Sequence, residues 1–238
     1  MNFKDLAELK AKLTEIKNKG FIENHREGDN GGVGRTLEDE MDISENNLKK
    51  GDFIIGTEGV ELKSQRRKAS SRITLSTKEP EWIFNKFDVI RKTGYKDKKG
   101  RTGLKITLNT SDFNSKGYKL KIDENKISII HKVLGEICFF DTKKLIEIIK
   151  EKLGENMLFV IADTNKKNDK EYYHFVEAIY FSQFDEDAFK KMIKDGKVIW
   201  EFRLHLKSDT AIRDHGSGFR VNRKYLPEMY KKRITLLF

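Results

Sequence analysis

The residues best suited to chemistry in this sequence form the alternating segment Val60-Glu61-Leu62-Lys63. Successive side chains of an extended strand point to opposite faces, so Val60 and Leu62 would face a core while Glu61 and Lys63 share the other face. A carboxylate and an ammonium group then lie side by side. The segment therefore predicts a charged site on one face of a strand.

A second carboxylate can reach the same place. Asp52 begins a neighbouring extended run, and glycines at positions 56 and 59 can turn the chain back as a hairpin that brings Asp52 beside Glu61. Two carboxylates in close contact repel each other, and a divalent cation is the usual way to make that arrangement stable. Oxygen ligands without a Cys or His partner point to Mg²⁺ rather than Zn²⁺.

Phosphodiester hydrolysis requires this combination of groups. A cation held by Asp52 and Glu61 would polarise a phosphate oxygen and help to deprotonate the attacking water, while Lys63 would orient that water or offset developing negative charge. The alternative is a solvated strand face with a weak ion pair, worth about 0 to 1 kcal/mol. The bare Glu-x-Lys pattern is not specific, because it recurs at Glu8-Lys10 on a predicted helix and at Glu124-Lys126 across a predicted turn.

The surroundings of this segment are strongly basic. The net charge of +10 and the pI near 9.4 favour a polyanionic partner, although lysine-rich surfaces also occur on proteins that have none. The basic residues that follow the segment and could hold a phosphate backbone are Arg66, Arg67, Lys68, Arg72 and Lys78. Upstream, Glu38 on a predicted helix either adds a third carboxylate to the site or is an ordinary exposed helix acid.

The elements that must position these residues follow from the hydrophobic pattern. Helical spacing predicts helices from Leu6 to Ile16, from about Arg35 to Met41, from Pro80 through Phe87, from Leu145 to Leu153 and from Ala188 to Ile193. Extended runs predict strands at 52–55, 60–63, 72–75, 104–108, 118–122, 127–131, 157–162, 172–181 and 198–206, and residues 28–34 read as a glycine-rich loop. This order predicts a mixed α/β (α+β) protein with a helix-covered sheet and two lobes around a cleft.

A second group of candidate residues lies on the run from Val198 to Leu206. Its apolar residues alternate with Glu201, Arg203 and His205, so one strand face is a row of hydrogen-bonding side chains. Arginine can bond guanine O6 and N7 together and a carboxylate can accept from cytosine N4, so this face could read base edges. The alternative is an amphipathic surface strand.

Several colinear motifs resemble one protein family. The motifs are Gly31-Gly32-Val33-Gly34-Arg35-Thr36-Leu37-Glu38-Asp39, Glu45-Asn46-Asn47, Gly51-Asp52, Glu61-Leu62-Lys63-Ser64, Leu75-Ser76-Thr77-Lys78-Glu79-Pro80 and Asp214-His215-Gly216-Ser217-Gly218-Phe219-Arg220-Val221-Asn222. Together they resemble the MvaI/BcnI restriction endonucleases and their mismatch-repair nicking relative MutH, and the last motif is most similar to the MvaI branch. The resemblance spans nearly the whole chain.

The resemblance implies a PD-(D/E)xK restriction-endonuclease-like core with Asp52, Glu61 and Lys63 catalytic and Glu38 contributing from its helix. Magnesium would be held by Asp52, Glu61 and the backbone carbonyl of Leu62. One departure is that Asp52 precedes Glu61 by nine residues, whereas the family places the Asp only a few residues before the Glu. Either the hairpin loop is longer here or Glu58 takes part instead.

The resemblance also implies a monomer that cuts double-stranded DNA at a short CCNGG-type site and works alongside a cognate DNA methyltransferase. We expect a catalytic lobe over residues 1–110 with parts of 140–182, and a recognition lobe over 183–238 plus insertions. The segment from Arg213 to Arg220, predicted to be a flexible loop, would belong to the recognition lobe. Asp214, His215 and Arg220 are therefore candidate DNA contacts, with a metal-ligand role for His215 as the alternative.

The remaining features restrict the class of protein. The single cysteine, Cys138, excludes an intramolecular disulfide framework and, lying in an apolar run, is expected to be buried and inert. No apolar run is long enough to span a membrane and the N-terminus has no apolar signal stretch, so we expect a soluble protein of the bacterial or archaeal cytoplasm. The functional alternatives are a type II restriction enzyme, a MutH-like nicking repair endonuclease and a non-catalytic DNA-binding module.

Overall fold

The computed structural model describes residues 2–24, 32–43 and 51–238. The chain divides into two compact units, each assembled from separate stretches of sequence. Unit 1 comprises Met1–Ser71, Lys150–Asp185 and Tyr230–Phe238, and unit 2 comprises Arg72–Ile149 and Glu186–Met229. Residues 72–110, which the sequence places with the catalytic segment, fall in unit 2 together with the strand at 198–206.

The described residues form helices and strands in a mixed order. The helices are α1 (Leu6–Asn18), α2 (Gly32–Glu40), α3 (Lys86–Thr93), α4 (Thr142–Leu153) and α5 (Glu186–Lys194), with a 3-10 helix at Arg223–Met229. The strands are β1 (Asn2–Phe3), β2 (Ile22–Glu23), β3 (Phe53–Ile55), β4 (Glu58–Arg66), β5 (Ile73–Ser76), β6 (Glu81–Trp82), β7 (Tyr95–Lys96), β8 (Thr102–Leu108), β9 (Tyr118–Ile122), β10 (Lys126–His131), β11 (Gly135–Asp141), β12 (Asn156–Lys167), β13 (Lys170–Phe184), β14 (Val198–Leu206), β15 (Ile212–Asp214), β16 (Gly218–Val221) and β17 (Tyr230–Leu237).

Unit 1 is built on a sheet in the order β1-β3-β4-β12-β13-β17, with β2 paired to β13. Strand β4 lies inside this sheet, antiparallel to β3 and parallel to β12. Its Val60 and Leu62 join a buried core with Leu13 of α1 and Leu37 of α2. Burying one such leucine fully contributes about 1.5–3 kcal/mol, so this face of β4 is fixed by packing. Strand alternation then directs Glu61 to the opposite face.

Unit 2 contains two sheets, one in the order β5-β16-β14-β8-β7 with β15 paired to β14, and one in the order β6-β11-β10-β9. An aromatic cluster of Phe140, Trp200, Phe202 and Phe219 packs between them, with neighbouring ring centroids 4.9 to 5.7 Å apart. Aromatic pairs at such distances add to the energy of burial. This cluster holds the apolar side of β14.

Several predicted elements are confirmed. Strands β9 and β10 pair in antiparallel fashion around the turn predicted at 123–125, with Ile127 opposite Ile122. Helix α4 has the Asp141 carboxylate accepting a hydrogen bond of 2.8 Å from the Lys144 amide at its start, and Gly154 with positive φ directly follows its last residue. Such a cap and a left-handed glycine are the expected signals of a helix start and end.

Three predictions of local structure are wrong. The helix expected at Pro80 begins only at Lys86, because Trp82 pairs with Cys138 in a sheet and Asn85 caps the helix. Helix α2 begins at Gly32, so residues 32–34 are helical rather than part of a loop. The loop predicted from Arg213 to Arg220 contains most of β15 and β16, both paired to β14.

Candidate functional site

The β3–β4 hairpin brings Asp52 to the polar face of β4. Phe53 pairs with Val60, and the Asp52 amide donates a hydrogen bond of 2.9 Å to the Val60 carbonyl. The Asp52 carboxylate in turn accepts a hydrogen bond of 2.7 Å from the backbone amide of Leu62. Since Leu62 lies between Glu61 and Lys63, this bond fixes the Asp52 side chain next to both of them.

Gly51 makes this approach possible. Its φ is +94°, in the region that glycine adopts readily, and a Cβ added there would lie 2.7 Å from both the carbonyl carbon and the oxygen of Val60. Real Cβ atoms do not approach backbone so closely, and the backbone of a strand has no room to move away. Gly51 therefore allows the chain to approach Val60 closely, and this approach lets the Asp52 carboxylate reach the Leu62 amide.

Glu61 and Lys63 form an ion pair on the same face of β4. Burial raises the pKa of the Glu61 carboxyl above its ordinary value, the Lys63 charge lowers it and the Asp52 charge raises it again, with Lys152 making a smaller contribution that lowers it. The Asp52 and Glu61 carboxylates are thus close enough to repel each other. A bound cation would relieve that repulsion, as the sequence predicts.

The donor atoms at this place fit a magnesium ion. The N–H and C=O of one strand residue point to the same side, so the Leu62 carbonyl points to the side on which its amide meets Asp52. Among residues 2–24, 32–43 and 51–238, no group of three or more His, Cys, Asp or Glu side chains is placed to hold a metal ion. Magnesium is commonly bound by one or two carboxylates with waters and substrate phosphates, so two carboxylates and a carbonyl suit it.

The alternative carboxylate, Glu58, lies elsewhere. It begins β4, pairs with Ile55, is exposed and shares the strand alternation of Val60 and Leu62, not that of Glu61. Its charge contributes to the raised pKa of Tyr180, whose burial is the larger cause. The geometry therefore favours Asp52 over Glu58 as the partner of Glu61.

Glu38 lies half-buried on α2, which packs against β4. The start of this helix approaches its neighbours closely, because a Cβ at Gly32 would lie 2.6 Å from the Asn24 side chain and 2.7 Å from the Tyr173 hydroxyl. A Cβ at Gly34 would lie 3.6 Å from the hydroxyl of Ser64 on β4. The glycine-rich motif thus seats α2 on the strand that carries Glu61, while a metal-binding role for Glu38 stays a prediction.

The basic residues at and after the end of β4 differ in whether acidic side chains hold them. Arg66 donates to the Glu171 carboxylate at 2.8 Å and to the Tyr173 hydroxyl at 3.1 Å. Arg67 forms ion pairs with Asp163 and Glu177. These two guanidinium groups are therefore held by acidic side chains of unit 1, whereas Lys68 and, in unit 2, Lys78 are exposed on the surface.

In unit 2, two of the predicted base-reading residues, Arg203 and Arg220, pair with one buried carboxylate. Glu201 on β14 is 7% exposed and forms ion pairs with Arg72 at 3.1 Å, Arg203 at 2.7 Å and Arg220 at 3.0 Å. Arg220 also donates to the Gly216 carbonyl and the Thr74 hydroxyl, and burial lowers its pKa. The row predicted as a polar strand face is therefore an interlocked network.

Asp214 and His215 belong to the same part of unit 2. Asp214 accepts hydrogen bonds from the amide and the hydroxyl of Ser217 at 2.7 and 2.9 Å. Ser217 in turn accepts a hydrogen bond of 2.8 Å from the amide of Arg203. His215 Nε2 lies 3.2 Å from His205 Nδ1, with the two rings stacked. The structure thus brings together all six predicted reading residues.

Sequence patterns missed several members of this network. Arg101 lies 3.4 Å from the buried His205 and is held by Asp97, and Ser217 and Thr74 hydrogen-bond the reading residues. The spacing of Asp97 and Arg101 indicates a turn, but nothing in the sequence reveals that β8 pairs with β14 and brings that turn to His205. The pairing of distant strands is the missing information.

Several further residues with reactive or polar side chains have structural surroundings. Cys138 is buried, as predicted, and burial raises the pKa of its thiol well above the ordinary value. Tyr173 is buried. His131 accepts hydrogen bonds from two backbone amides and His174 contacts the Lys17 carbonyl. His25, Gly31 and Glu45-Asn46-Asn47 lie outside the described residues.

Comparison with known proteins agrees with these observations. The model of the MvaI/BcnI restriction endonuclease family matches residues 10–230. A solved complex of the restriction endonuclease MvaI with its cognate DNA substrate is 24% identical, with 98% of both chains covered and a TM-score of 0.75. MvaI in the absence of DNA is 21% identical, with 98% of this chain and 97% of that chain covered and a TM-score of 0.53. No curated protein sequence matches this chain.

The two solved structures show a shared fold, and the family model covers most of the chain. The mixed α/β fold and the activity class predicted from the sequence, site-specific cleavage of DNA, are thereby confirmed. Among the described residues, no helix is both long enough and apolar enough to cross a membrane. The motifs, the hairpin geometry and the match over residues 10–230 agree: this chain belongs to the MvaI/BcnI restriction endonuclease family.

Proposed function

We propose that this type II restriction endonuclease hydrolyses phosphodiesters of double-stranded DNA in a magnesium-dependent reaction at Asp52, Glu61 and Lys63. The observation that carries the proposal is the hydrogen bond of 2.7 Å from the Leu62 amide to the Asp52 carboxylate. It ties the aspartate of one strand to the residue between the glutamate and lysine of the next. If Glu61 and Lys63 formed only a solvated ion pair, no Asp52 carboxylate would be needed beside them.

The residues divide the chemistry between them. The Asp52 and Glu61 carboxylates and the Leu62 carbonyl would hold Mg²⁺, and Glu38 would add a carboxylate from α2. Magnesium, when bound, polarises a phosphate oxygen and lowers the pKa of a coordinated water. Lys63 carries a positive charge beside Glu61, where it orients the attacking water and offsets negative charge that develops on the phosphate.

Base recognition is assigned to unit 2. Its network offers arginine guanidinium groups for guanine O6 and N7, carboxylates for cytosine N4, and imidazoles for further base edges. The proposed reading residues are Glu201, Arg203, His205, Asp214, His215 and Arg220. The proposed phosphate contacts are Arg66, Arg67, Lys68, Arg72 and Lys78. Arginines and carboxylates in this mixture suit a G·C-rich site of the CCNGG type.

The family supports further proposals on the surroundings of the reaction. We propose that the chain acts as a monomer, with a cognate DNA methyltransferase protecting the host sites without direct contact. The buried cysteine is compatible with a reducing cytoplasm of a bacterial or archaeal cell. Size-exclusion chromatography with light scattering, at the concentration used for cleavage, tests the monomer.

The direct test is cleavage of plasmid and phage DNA with and without Mg²⁺. We expect discrete fragments that disappear with a chelator and with Lys63→Ala. Lys10→Ala is the matched control, because Lys10 also follows a Glu-x-Lys pattern but is exposed on α1. Uncut DNA from a wide range of sequences would contradict the proposal, and nicked circles as the final product would favour the MutH-like alternative.

Asp52→Asn separates an enzyme from a non-catalytic binding module. The enzyme loses cleavage but keeps or gains affinity for its DNA, because removing one negative charge reduces repulsion from phosphate. DNA binding by fluorescence anisotropy, compared with cleavage of the same fragment, measures both. The enzymatic proposal would be overturned if the wild type cut no DNA and its salt-dependent DNA affinity were the same with chelator and with magnesium.

A further inference from the structure

Four side chains of unit 2 form a continuous hydrogen-bonded chain. The Asp97 carboxylate accepts from Arg101 Nε at 2.9 Å and from Arg101 Nη2 at 2.7 Å. The remaining terminal nitrogen, Arg101 Nη1, lies 3.4 Å from Nε2 of His205. His205 Nδ1 then lies 3.2 Å from Nε2 of His215. The chain thus runs from Arg101, which Asp97 holds, through the buried ring of His205 to the exposed ring of His215.

The direction of this chain follows from the chemistry of its first member. A guanidinium group only donates hydrogen bonds, so His205 Nε2 must accept and carry no proton. In a neutral imidazole the other nitrogen then carries the proton, and His205 Nδ1 donates to His215 Nε2. His215 Nε2 is thereby an acceptor, so the proton of the neutral His215 ring lies on Nδ1.

We propose that Arg101, held by Asp97, is a positioning residue that sets both His205 and His215 as Nδ1-protonated tautomers, so that exposed His215 offers an Nδ1–H donor to a base acceptor in DNA. The base contact rests on the proposed function, whereas the tautomers do not depend on it. The acceptor would be a ring nitrogen or a carbonyl oxygen at a base edge. A single fixed tautomer distinguishes donor from acceptor, which a freely exchanging imidazole cannot do.

The surroundings of His205 favour the neutral ring that the chain requires. Its side chain is buried, and burial lowers its pKa, as do the charges of Arg101, His215 and Lys105, against a smaller opposing effect of Asp97. The backbone also approaches closely here, because a Cβ at Gly103 on β8 would lie 3.3 Å from the Cβ of His205. The ring is therefore confined, and its surroundings favour the neutral form.

Nuclear magnetic resonance of protein labelled with ¹⁵N in its histidines tests the tautomers directly. In the wild type at neutral pH we expect both rings to show protonated Nδ1 and unprotonated Nε2. Arg101→Lys keeps a pure donor and should keep this pattern, whereas Arg101→Met should release His205 into a mixture of tautomers. Wild-type rings protonated on Nε2 would overturn the proposal, as would an unchanged Nδ1–H pattern in a folded Arg101→Met protein.

Cleavage of the protein's own recognition site tests the contact with DNA. We expect Arg101→Met to reduce kcat/KM about tenfold, the effect of losing about one hydrogen bond, with partial rescue in Arg101→Lys. Arg91→Met is the matched control, because this half-exposed arginine of unit 2 pairs with Asp88 and Asp209 instead. If Arg101→Met changed the histidine tautomers but left kcat/KM unaltered, the proposed contact between His215 and a base would be overturned. A wild type that cuts no DNA would instead refute the proposed function and leave the tautomer result standing.

Discussion

Glu61 and Glu201 are both carboxylates placed beside cationic side chains, yet their surroundings differ. Burial raises the pKa of Glu61, the charge of its ion-pair partner Lys63 lowers it, and the repelling charge of Asp52 raises it again. Glu201 is surrounded by three arginines drawn from positions 72, 203 and 220. The first arrangement leaves negative charge in excess and suits a cation, while the second leaves positive charge in excess around one fully paired carboxylate. The comparison predicts that loss of Glu61 acts on the reaction alone, whereas loss of Glu201, a proposed reading residue, also destabilises the fold.

The largest expected effect is on cleavage by Glu61→Gln. The amide keeps the shape but loses the negative charge that would bind magnesium, so kcat/KM should fall by about a thousandfold or more, equivalent to roughly 4 kcal/mol. Folding stability should be unchanged or slightly higher, because a desolvated carboxylate has been removed. Single-turnover cleavage and urea unfolding measure the two effects. Cleavage within tenfold of the wild type would refute the assigned role of Glu61.

Glu201→Ala should destabilise the fold, in addition to any effect on DNA recognition. Removing the carboxylate leaves buried Arg220 among other arginines without a counter-charge, and breaking such a buried pair costs about 3–5 kcal/mol. We expect that loss in the free energy of unfolding measured with urea. A change below about 1 kcal/mol would mean that Glu201 is not the electrostatic centre of the network, and the contrast with Glu61 would be lost.

The same two regions differ in how far the sequence reveals them. The site at β4 was predictable because Asp52, Glu61 and Lys63 lie within one hairpin, where strand alternation and glycines determine which side chains meet. The network around Glu201 joins β14 and β16 to the segment at β5, and Arg72 lies 129 residues before Glu201 in the sequence. Alternation on β14 identified Glu201, Arg203 and His205, but not that Glu201 and His205 are buried.

Long-range pairing also explains the elements that sequence patterns missed. Helical spacing near Pro80 suggested a helix, yet Trp82 lies in a strand because β11 offers it a partner through Cys138. The turn at Asp97–Arg101 has local hydrogen bonds that propensity can predict, whereas its contact with His205 depends on the register of β8 with β14. Local pattern therefore indicates which residues are polar, and sheet register decides which of them meet.

Gly51→Ala sharpens the comparison, because it tests the backbone of the hairpin that carries the proposed catalytic residues. The new Cβ would lie 2.7 Å from the Val60 backbone. The alanine would also have to adopt a positive φ, which costs about 1–3 kcal/mol. Cleavage should fall as Asp52 is displaced. Gly20→Ala is the matched control, since Gly20 also has positive φ, +73°, but nothing lies within 4 Å of an added Cβ. Equal losses of stability in both variants would show that the Val60 contact is not restrictive.

The smallest expected effect is on stability in the presence of the cation, without DNA. If Asp52 and Glu61 hold Mg²⁺ only in the folded state, magnesium at ten times its dissociation constant should stabilise the wild type by about 1.4 kcal/mol. Thermal unfolding with and without Mg²⁺ at constant ionic strength measures this difference. Asp52→Asn and Glu61→Gln should abolish the stabilisation by magnesium. Lys10→Ala should retain it, and so should Glu201→Gln, which changes the carboxylate that is paired with arginines. Magnesium stabilisation that survives loss of both hairpin carboxylates would place the cation elsewhere and remove the distinction between the two acidic centres.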